Sequence, residues 1–379
     1  MERHIVHCDL DTFFVSVERL RNSRLVGHPV LIGGNGDRGV VASCSYEARR
    51  FGVHSAMPMK LARRLCPEAI VVRGDHDLYS KYSNLVTQII NERAPVVEKA
   101  SIDEHYLDIT GMDRYFGCWK WTRELRSCIM KETGLPISFG LSANKTVSKI
   151  ATNEAKPCGE RQVTSGSEKE FLAPLSVRKI PMVGEKAYTL LRGMGIHQIH
   201  ALQQMDINVM RRTLGQNGIV IWRKANGEDD SPVVSFREQK SLSKEVTFRE
   251  DTADASLLKQ TLLGMADGLA FELRRRSKLT GCVTLKIRYS NFDTHTLQAR
   301  IPYTNLDRVI CEKVVALFTR IYNRHMFVRL VGIKFNHLIT AAYQLDLFSD
   351  TTDEVNLMEA IDRIRLRFGR QCILRGICK

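Results

Sequence analysis

Ile5-Val6-His7-Cys8-Asp9-Leu10-Asp11-Thr12-Phe13-Phe14-Val15-Ser16-Val17-Glu18 joins a short β-branched run to the start of a helical pattern. Residues 5–8 read as a strand ending at Asp9, while apolar side chains at positions 13, 14 and 17 suit one face of a helix over residues 13–20. A second acidic pair, Asp103-Glu104, lies between β-runs at residues 96–102 and 106–109, so both carboxylates are expected in a tight strand turn. If those strands pair with the first, Asp9, Asp11, Asp103 and Glu104 meet at one sheet edge. Carboxylates gathered in this way repel, and a divalent cation is the usual means of holding them ionised together. Mg²⁺ takes hard oxygen ligands while keeping positions for phosphate and water, and two ions about 4 Å apart activate a hydroxyl and stabilise a departing phosphate. The competing reading is a set of acidic turn residues that only face solvent.

Outward from this core, residues 28–32 and 39–43 form an expected hairpin around the turn-rich residues 33–38. The segment Gly34-x-Gly36-x-x-Gly39 matches a dinucleotide fingerprint, but a β-run follows it where a pyrophosphate site needs a helix. Helical patterns cover residues 75–93, 115–133 and 144–155, the last ended by Lys156-Pro157-Cys158-Gly159, and residues 137–141 read as a strand. This order predicts an α+β domain around a mostly antiparallel sheet. From about residue 167 the strand signal stops, and residues 177–194, 199–205 and 208–226 make an all-α module. The polar residues 228–235, with one proline, read as a linker. Strand 240–248, helix 255–275, strands 282–289 and 294–301, helix 306–322 and strand 328–335 then give β-α-β-β-α-β, a split βαβ unit. Val283, Leu285, Ile287 and Tyr289 alternate with Thr284, Lys286 and Arg288, so one face of that sheet is apolar and the other partly basic. The residues after 340 form an appendage in which Leu357, Met358, Ile361 and Ile364 mark an amphipathic helix.

The 56 basic and 42 acidic side chains leave a charge of +14, an imbalance that draws polyanions and above all nucleic acid. A composition 44% hydrophobic with only 10 prolines in 379 residues excludes a disordered or collagenous chain, and the length fits two or three domains. No apolar stretch reaches the ~18 residues that span a bilayer, and the first ten residues lack a signal-peptide core, so a cytoplasmic location without a membrane partner is expected. Ten cysteines without a C-x-x-C pair point to reduced core thiols and not to a zinc ribbon or a disulfide framework. Neither His105 nor His197-x-x-His200 belongs to a set with zinc-ligand spacing.

Asp9 to Glu18, Ser45-Tyr46-Glu47-Ala48-Arg49-Arg50-Phe51-Gly52-Val53, Ser101-Ile102-Asp103-Glu104-His105-Tyr106-Leu107-Asp108 and Ala155-Lys156-Pro157-Cys158-Gly159 resemble, in order and spacing, the successive signatures of the Y-family DNA polymerases. Within that family the chain is most similar to the DNA polymerase IV class, strongly up to about residue 160 and more weakly to about residue 340. The resemblance implies a right-hand polymerase of α+β multidomain fold. Its palm, an antiparallel sheet plus helices, takes residues 1–17 and 77–166, and its fingers residues 18–76. An all-α, helix-hairpin-helix-like thumb takes residues 167–230, a β-α-β-β-α-β little finger residues 231–341, and a tail residues 342–379. The implied reaction is template-directed addition of dNTPs to a primer 3′-hydroxyl by two-metal phosphoryl transfer, specialised for low-fidelity translesion synthesis in DNA repair and damage tolerance. Two Mg²⁺ per active site are implied, with Mn²⁺ as a substitute.

Carried over residue by residue, the family's catalytic metal ligands fall on Asp9, Asp103 and Glu104, with the backbone carbonyl of Leu10. Asp11 is left to bond locally or to cap the following helix. Tyr46, Arg49 and Lys156 match the triphosphate-binding positions, and Phe14 matches the steric gate whose ring excludes a ribose 2′-hydroxyl. Ala42 and Ala56 fall where the fingers cover the new base pair, and side chains so small imply a roomy roof that discriminates mispairs poorly. The family has a small residue where this chain has His105, and strand alternation is expected to point His105 harmlessly outward. Ile180 to Ala187 is similar to a helix-hairpin-helix whose Gly184 and Lys186 meet a DNA phosphate, although Pro181 and Met182 degrade its glycine-rich turn. In the little finger, Lys240, Ser241, Lys244, Arg249, Lys286 and Arg288 are candidate DNA-backbone contacts, which imply steep salt dependence without sequence preference.

Gln344-Leu345-Asp346-Leu347-Phe348 resembles the peptide that bacterial polymerases insert into the sliding clamp, with Leu347 and Phe348 as anchors; the competing reading is a packed tail turn. The implied partners are primer-template DNA, dNTPs and the clamp (beta subunit), with the protein itself a monomer. Two other classes remain. A non-catalytic DNA- and clamp-binding scaffold is opposed by the intact acidic triad, and a palm-type nucleotide cyclase is opposed by the thumb, the little finger and the clamp peptide.

Overall fold

In the computed structural model, which describes residues 2–34, 36, 38–112, 117–340, 352–373 and 376, strand β1 (Ile5–Leu10) is buried along its whole length. Helix α1 (Phe13–Arg21) follows at once, because Thr12 takes φ 43°, a left-handed conformation costly for a β-branched residue, and turns the chain in two residues. Next come β2 (Val30–Gly33), β3 (Val41–Cys44), α2 (Tyr46–Arg49), α3 (Met59–Leu65), β4 (Ile70–Val72), α4 (His76–Asn91), β5 (Val96–Lys99) and β6 (Glu104–Asp108). Then follow α5 (Cys118–Thr133), β7 (Ile137–Ser142), α6 (Lys145–Ala155) and β8 (Glu160–Gln162).

β1 is the centre of a five-stranded sheet ordered β5-β6-β1-β7-β8, antiparallel to both neighbours. Strand alternation sends Val6, Cys8 and Leu10 into a core shared with α1, α4 and α5, and turns His7 and Asp9 toward α6. α6 can lie close to the sheet because residue 140 is glycine: a Cβ there would run into the Ser148 carbonyl and Thr152 amide of that helix. The expected hairpin forms from β2 and β3, and β4, which the sequence reading missed, pairs parallel to β2. A three-residue strand whose partner lies beyond α3 leaves little local periodicity to read. These strands share a small core of Leu31, Val41, Cys44, Ala48, Met59 and Ala62.

The all-α module consists of α7 (Glu168–Leu172), α8 (Glu185–Gly193), α9 (Ile199–Gln203), α10 (Ile207–Leu214) and α11 (Gln216–Ala225). The pattern at 177–194 resolves into a 3₁₀ turn at Val177–Lys179 and α8, and that at 208–226 is split at Gly215, where φ is 62°. Two compact units divide between Arg237 and Glu238, and the segment before the division is tied to the first unit by Val234 N–H and Arg237 Nη2, which donate to Glu98 at 2.9 and 2.8 Å.

The second unit runs β9 (Ser241–Thr252), α12 (Ala255–Arg275), β10 (Lys278–Tyr289), β11 (Thr294–Thr304), α13 (Asp307–Ile321) and β12 (Val328–Thr340). Its sheet order, β11-β10-β12-β9, puts β12 between β9 and β10 and so realises the split βαβ pattern. Helix α14 (Thr352–Phe368) forms as expected, yet it is not an appendage, and its apolar stripe is only partly covered, with Met358 and Ile361 half-buried. Leu357 and Ile364 are exposed, while Asp362 and Arg365 are buried. Arg274 donates to Asp362 at 2.5 Å and to Asp307 at 2.6 Å, and Arg365 donates to Asp267 at 3.0 Å. Among the described residues Cys158 and Cys372 are exposed and Cys128 is half-buried, which corrects the reading of all ten as core thiols. Among the described residues no helix is long and apolar enough to cross a membrane.

Gly140→Ala is expected to push α6 from the sheet and to cost about 1–3 kcal/mol, the usual penalty of overpacking. Urea unfolding of the variant beside the wild type measures it, and equal stability would show that α6 does not depend on the close approach.

Candidate active site

β1 and β6 place Asp9 directly opposite Glu104, and on the other side Asp9 faces Ser138 of β7. Asp103 ends the turn just before β6, fixed to β1 by a Leu10 N–H bond to its carbonyl at 3.0 Å. The expected turn therefore holds only one of the two acids, and Glu104 is the first residue of the strand. Ser101 shapes the turn: its Oγ donates to Asp103 Oδ1 at 2.5 Å and accepts from the Glu104 N–H at 3.0 Å.

α6 and the segment after it bring two cations to this face. Lys149 Nζ donates to both Glu104 oxygens at 2.8 and 2.7 Å, and Lys156 Nζ pairs with Asp9 Oδ2 at 2.6 Å. Burial opposes ionisation of Glu104, but His7 and Lys149 outweigh it and hold that carboxyl well below the ordinary range. Asp9 goes the other way: burial, resisted by Lys156 and reinforced by Glu104 and Asp103, pushes its carboxyl up to about 7. Lys149 escaped the sequence reading, although it stands seven residues before Lys156, two helical turns away.

A cleft of about 140 Å³ is bordered by Asp9, Leu10, Phe14, Ala42, Arg49, Asp103 and Lys156, together with Thr12, Phe13, Ser43 and Ser55. Seven of the residues singled out from the sequence thus meet in one space. The Leu10 side chain belongs to the core, which leaves its main chain to face the cleft. Glu104, Tyr46 and Ala56 stand outside the cleft's border, and Ser55 takes the place expected of Ala56, whose φ is 69°. The Arg49 guanidinium lies 5.0 Å from the Tyr46 ring centre.

The Asp11 side chain neither bonds locally nor caps α1, although its main-chain carbonyl accepts from Ser16 Oγ at 2.7 Å. Its carboxylate, 1% exposed, accepts from Tyr46 Oη at 3.0 Å, Ser138 Oγ at 2.7 Å and the Cys158 N–H at 2.8 Å. One buried acid so joins the end of β1 to α2, to β7 and to the segment that carries Lys156. His105 is also corrected. Glu104 shares a face with Asp9, so alternation turns His105 onto the face of Cys8, which is covered by α4 and not open to water. There His105 is wholly buried, its Nε2 is 2.9 Å from Thr87 Oγ1, and burial lowers its pKa to about 4, so the ring is neutral.

Among the described residues no three acidic, histidine or cysteine side chains converge to metal-ligand distances, as Asp9 is drawn to Lys156 and Glu104 to Lys149. The donor set, three carboxylates and a main-chain carbonyl, nevertheless fits a hard divalent cation, whose charge would offset both the burial and the neighbouring acids that raise Asp9.

The nucleic-acid candidates are distributed unevenly. Register puts Ser241, Lys286 and Arg288 on the outer face of the second sheet, beside Lys334 and Arg300, which the sequence reading missed. Lys286 is paired with Glu245 at 2.9 Å, and Arg288 Nε donates to Thr294 Oγ1 at 2.8 Å. Lys244 stands opposite the buried Ile333 and therefore on the other face, while Lys240 is exposed just before β9 and Arg249 is exposed where the pairing of β9 with β12 shifts between Thr247 and Thr252. Gly184 precedes α8 and Lys186 is exposed in its first turn. Gln344, Leu345, Leu347 and Phe348 lie outside the described residues.

Two family models match the chain, impB/mucB/samB over residues 8–153 and the impB/mucB/samB C-terminal domain over residues 239–347. A DNA polymerase IV of Dehalococcoides mccartyi is 34% identical over 99% of this chain and 97% of its own. One of Methanoculleus marisnigri is 36% identical over 89% of this chain and 94% of its own. A solved chimeric Y-family DNA polymerase superposes with a TM-score of 0.79 at 24% identity, covering 89% of this chain and all of that one, so the fold is that of palm, fingers, thumb and little finger. With both family models matched in order and such relatives along nearly its whole length, the chain belongs to the impB/mucB/samB family of Y-family DNA polymerases, in the DNA polymerase IV class.

Proposed function

We propose that this DNA-directed DNA polymerase performs translesion synthesis at the cleft between β1, β6 and α2, with Asp9, Asp103, Glu104 and the Leu10 carbonyl holding two Mg²⁺ ions, for which Mn²⁺ substitutes. The observation that carries the reading is the meeting of Asp9, Asp103, Phe14, Arg49 and Lys156 around one space. Bound there, the ions supply the acidity that makes the primer 3′-hydroxyl a nucleophile and the charge that stabilises departing pyrophosphate. Arg49 and Lys156 take the triphosphate oxygens, Lys156 exchanging Asp9 for phosphate, and Tyr46 is held beside them by Asp11. Phe14 fills the space of a 2′-hydroxyl. Ala42 borders the cleft with a side chain too small to press on the base pair, and the small Ser55, in the place expected of Ala56, leaves the roof open beside it.

The palm is assigned to residues 1–17 and 77–166, the fingers to 18–76, the thumb to 167–230 and the little finger to 231–341, with a tail at 342–379. The outer face of the little-finger sheet, with Ser241, Lys286 and Arg288, holds the DNA backbone, and Gly184 and Lys186 of the thumb take a further phosphate. Gln344 to Phe348 binds a sliding clamp, and the protein works as a cytoplasmic monomer.

Extension of a labelled primer on plain and lesion-bearing templates is expected in Mg²⁺, absent in EDTA, and lowered more than about a hundredfold by Asp103→Ala, since a lost ligand costs at least as much as a lost outer-shell partner. Failure of folded, DNA-binding wild type to extend would refute the reading. Replacing Lys286 and Arg288 by alanine should reduce the slope of log affinity against log salt by about 2, equally on unrelated sequences. A slope that does not change would remove both from the contact surface. Leu347→Ala with Phe348→Ala should weaken binding to a bacterial clamp by about thirtyfold or more, the effect of losing a hot spot of about 2 kcal/mol. Undiminished clamp binding would leave the peptide as an ordinary tail turn.

A further inference from the structure

We propose that Glu18 is a positioning residue for sugar selection, acting through Tyr79 on Phe14. The inference rests on the reading of Phe14 as the gate against a 2′-hydroxyl and names what keeps that gate in place. Phe14 and Glu18 are four residues apart on α1, so they project from one side of the helix. Both meet Tyr79 of α4. The Phe14 and Tyr79 rings are nearly parallel, with centroids 4.3 Å and planes 14° apart, and Tyr79 Oη donates to Glu18 Oε1 at 2.7 Å. Tyr79 is wholly buried and Glu18 is 4% exposed, so the bond is made away from water, where losing one partner leaves the other unsatisfied.

Phe14 is only half-buried, at the border of the core. On one side lies the carboxylate cleft of about 140 Å³, and on another a cavity of about 270 Å³ lined by Gly33, Gly34, Arg73 and His76. With space on two sides, the ring keeps its rotamer through the rings that back it, the Tyr79 face, the tilted Phe13 ring at 5.5 Å and the edge of His76 at 5.8 Å. Stacking alone lets one ring slide over another, because it has no strong in-plane direction. The hydroxyl bond at the far end of Tyr79 supplies that direction. Glu18 therefore sets where Tyr79 stands, and Tyr79 sets where Phe14 stands. Glu18 does not border the cleft, so its influence on the reaction passes through this relay.

The test compares kcat/KM for a dNTP and the matching rNTP on one primer-template, using wild type, Tyr79→Phe, Glu18→Ala, Glu18→Gln, the Tyr79→Phe/Glu18→Ala double variant and Phe14→Ala. Tyr79→Phe and Glu18→Ala should each lower the preference for dNTP by about two- to tenfold, the equivalent of an off-rotamer ring. The double variant should lose less than the product of the two, and Glu18→Gln, which keeps an acceptor, should retain most of the preference. Tyr79→Phe deletes a single oxygen and keeps the test open if Glu18→Ala does not fold. An unchanged preference in Tyr79→Phe, or equal losses for both sugars, would overturn the relay. If Phe14→Ala itself leaves sugar preference untouched, the gate reading fails and the relay with it. If Phe14→Ala abolishes the preference while the Tyr79 and Glu18 variants keep it, the relay alone fails.

Discussion

Like charges set directly opposite on adjacent strands destabilise a sheet, and Asp9 faces Glu104 across β1 and β6 with Asp103 at the neighbouring turn. Much of the first unit answers that constraint. α6 crosses the sheet so that Lys149 reaches Glu104 and the chain leaving the helix brings Lys156 to Asp9. The helix lies near enough because Gly140 has no side chain. Both acids keep their charge balance through cations that are themselves only partly buried, so each pairing is one that a stronger counter-charge can replace. In the proposed reading, where metal and triphosphate enter together, carboxylates held by exchangeable lysines serve the site well.

Asp11 solves a different problem with the same chemistry. Its neighbour two residues back reacts to charge, whereas Asp11 is saturated by three donors from three separate segments. A carboxylate bonded in this way is a rigid joint, since each lost donor would leave a buried acceptor unsatisfied. The sharp turn at Thr12 is what aims it, by ending β1 and starting α1 within two residues. Asp9 and Asp11 thus belong to one short stretch of sequence but serve opposite ends, one open to exchange and one closed.

The sequence made the acidic cluster, the mixed first unit and the β-α-β-β-α-β second unit legible, because each rests on local periodicity or on residue type at fixed spacing. What it hid depended on partners far along the chain. Period-two alternation correctly turned His105 away from Glu104, but only the tertiary fold decides that the other face is packed by α4 and Thr87 and not by water. Asp11 was read against its neighbours in sequence, while its donors lie 35, 127 and 147 residues away. β4 was too short to register. In α14 the apolar spacing was real, yet the most buried side is the one with Asp362 and Arg365, which pair with Arg274 and Asp267.

The second sheet shows why a basic composition has to be read through register before it says anything about a ligand. Of the basic candidates on its strands, Lys244 stands opposite a buried isoleucine, whereas Lys286 and Arg288 alternate onto the outer face and are joined there by Lys334 and Arg300 from neighbouring strands. Four cations from three strands on one pleated surface make a field that follows the sheet and not any single strand. Glu245 and the threonines between them limit that field, since Lys286 is already paired. A polyanion backbone can displace such a pairing, because an exposed ion pair contributes at most about 1 kcal/mol while counterion release favours every phosphate that takes its place. Under the proposed reading, the outer face would hold a duplex through its charge and let it move.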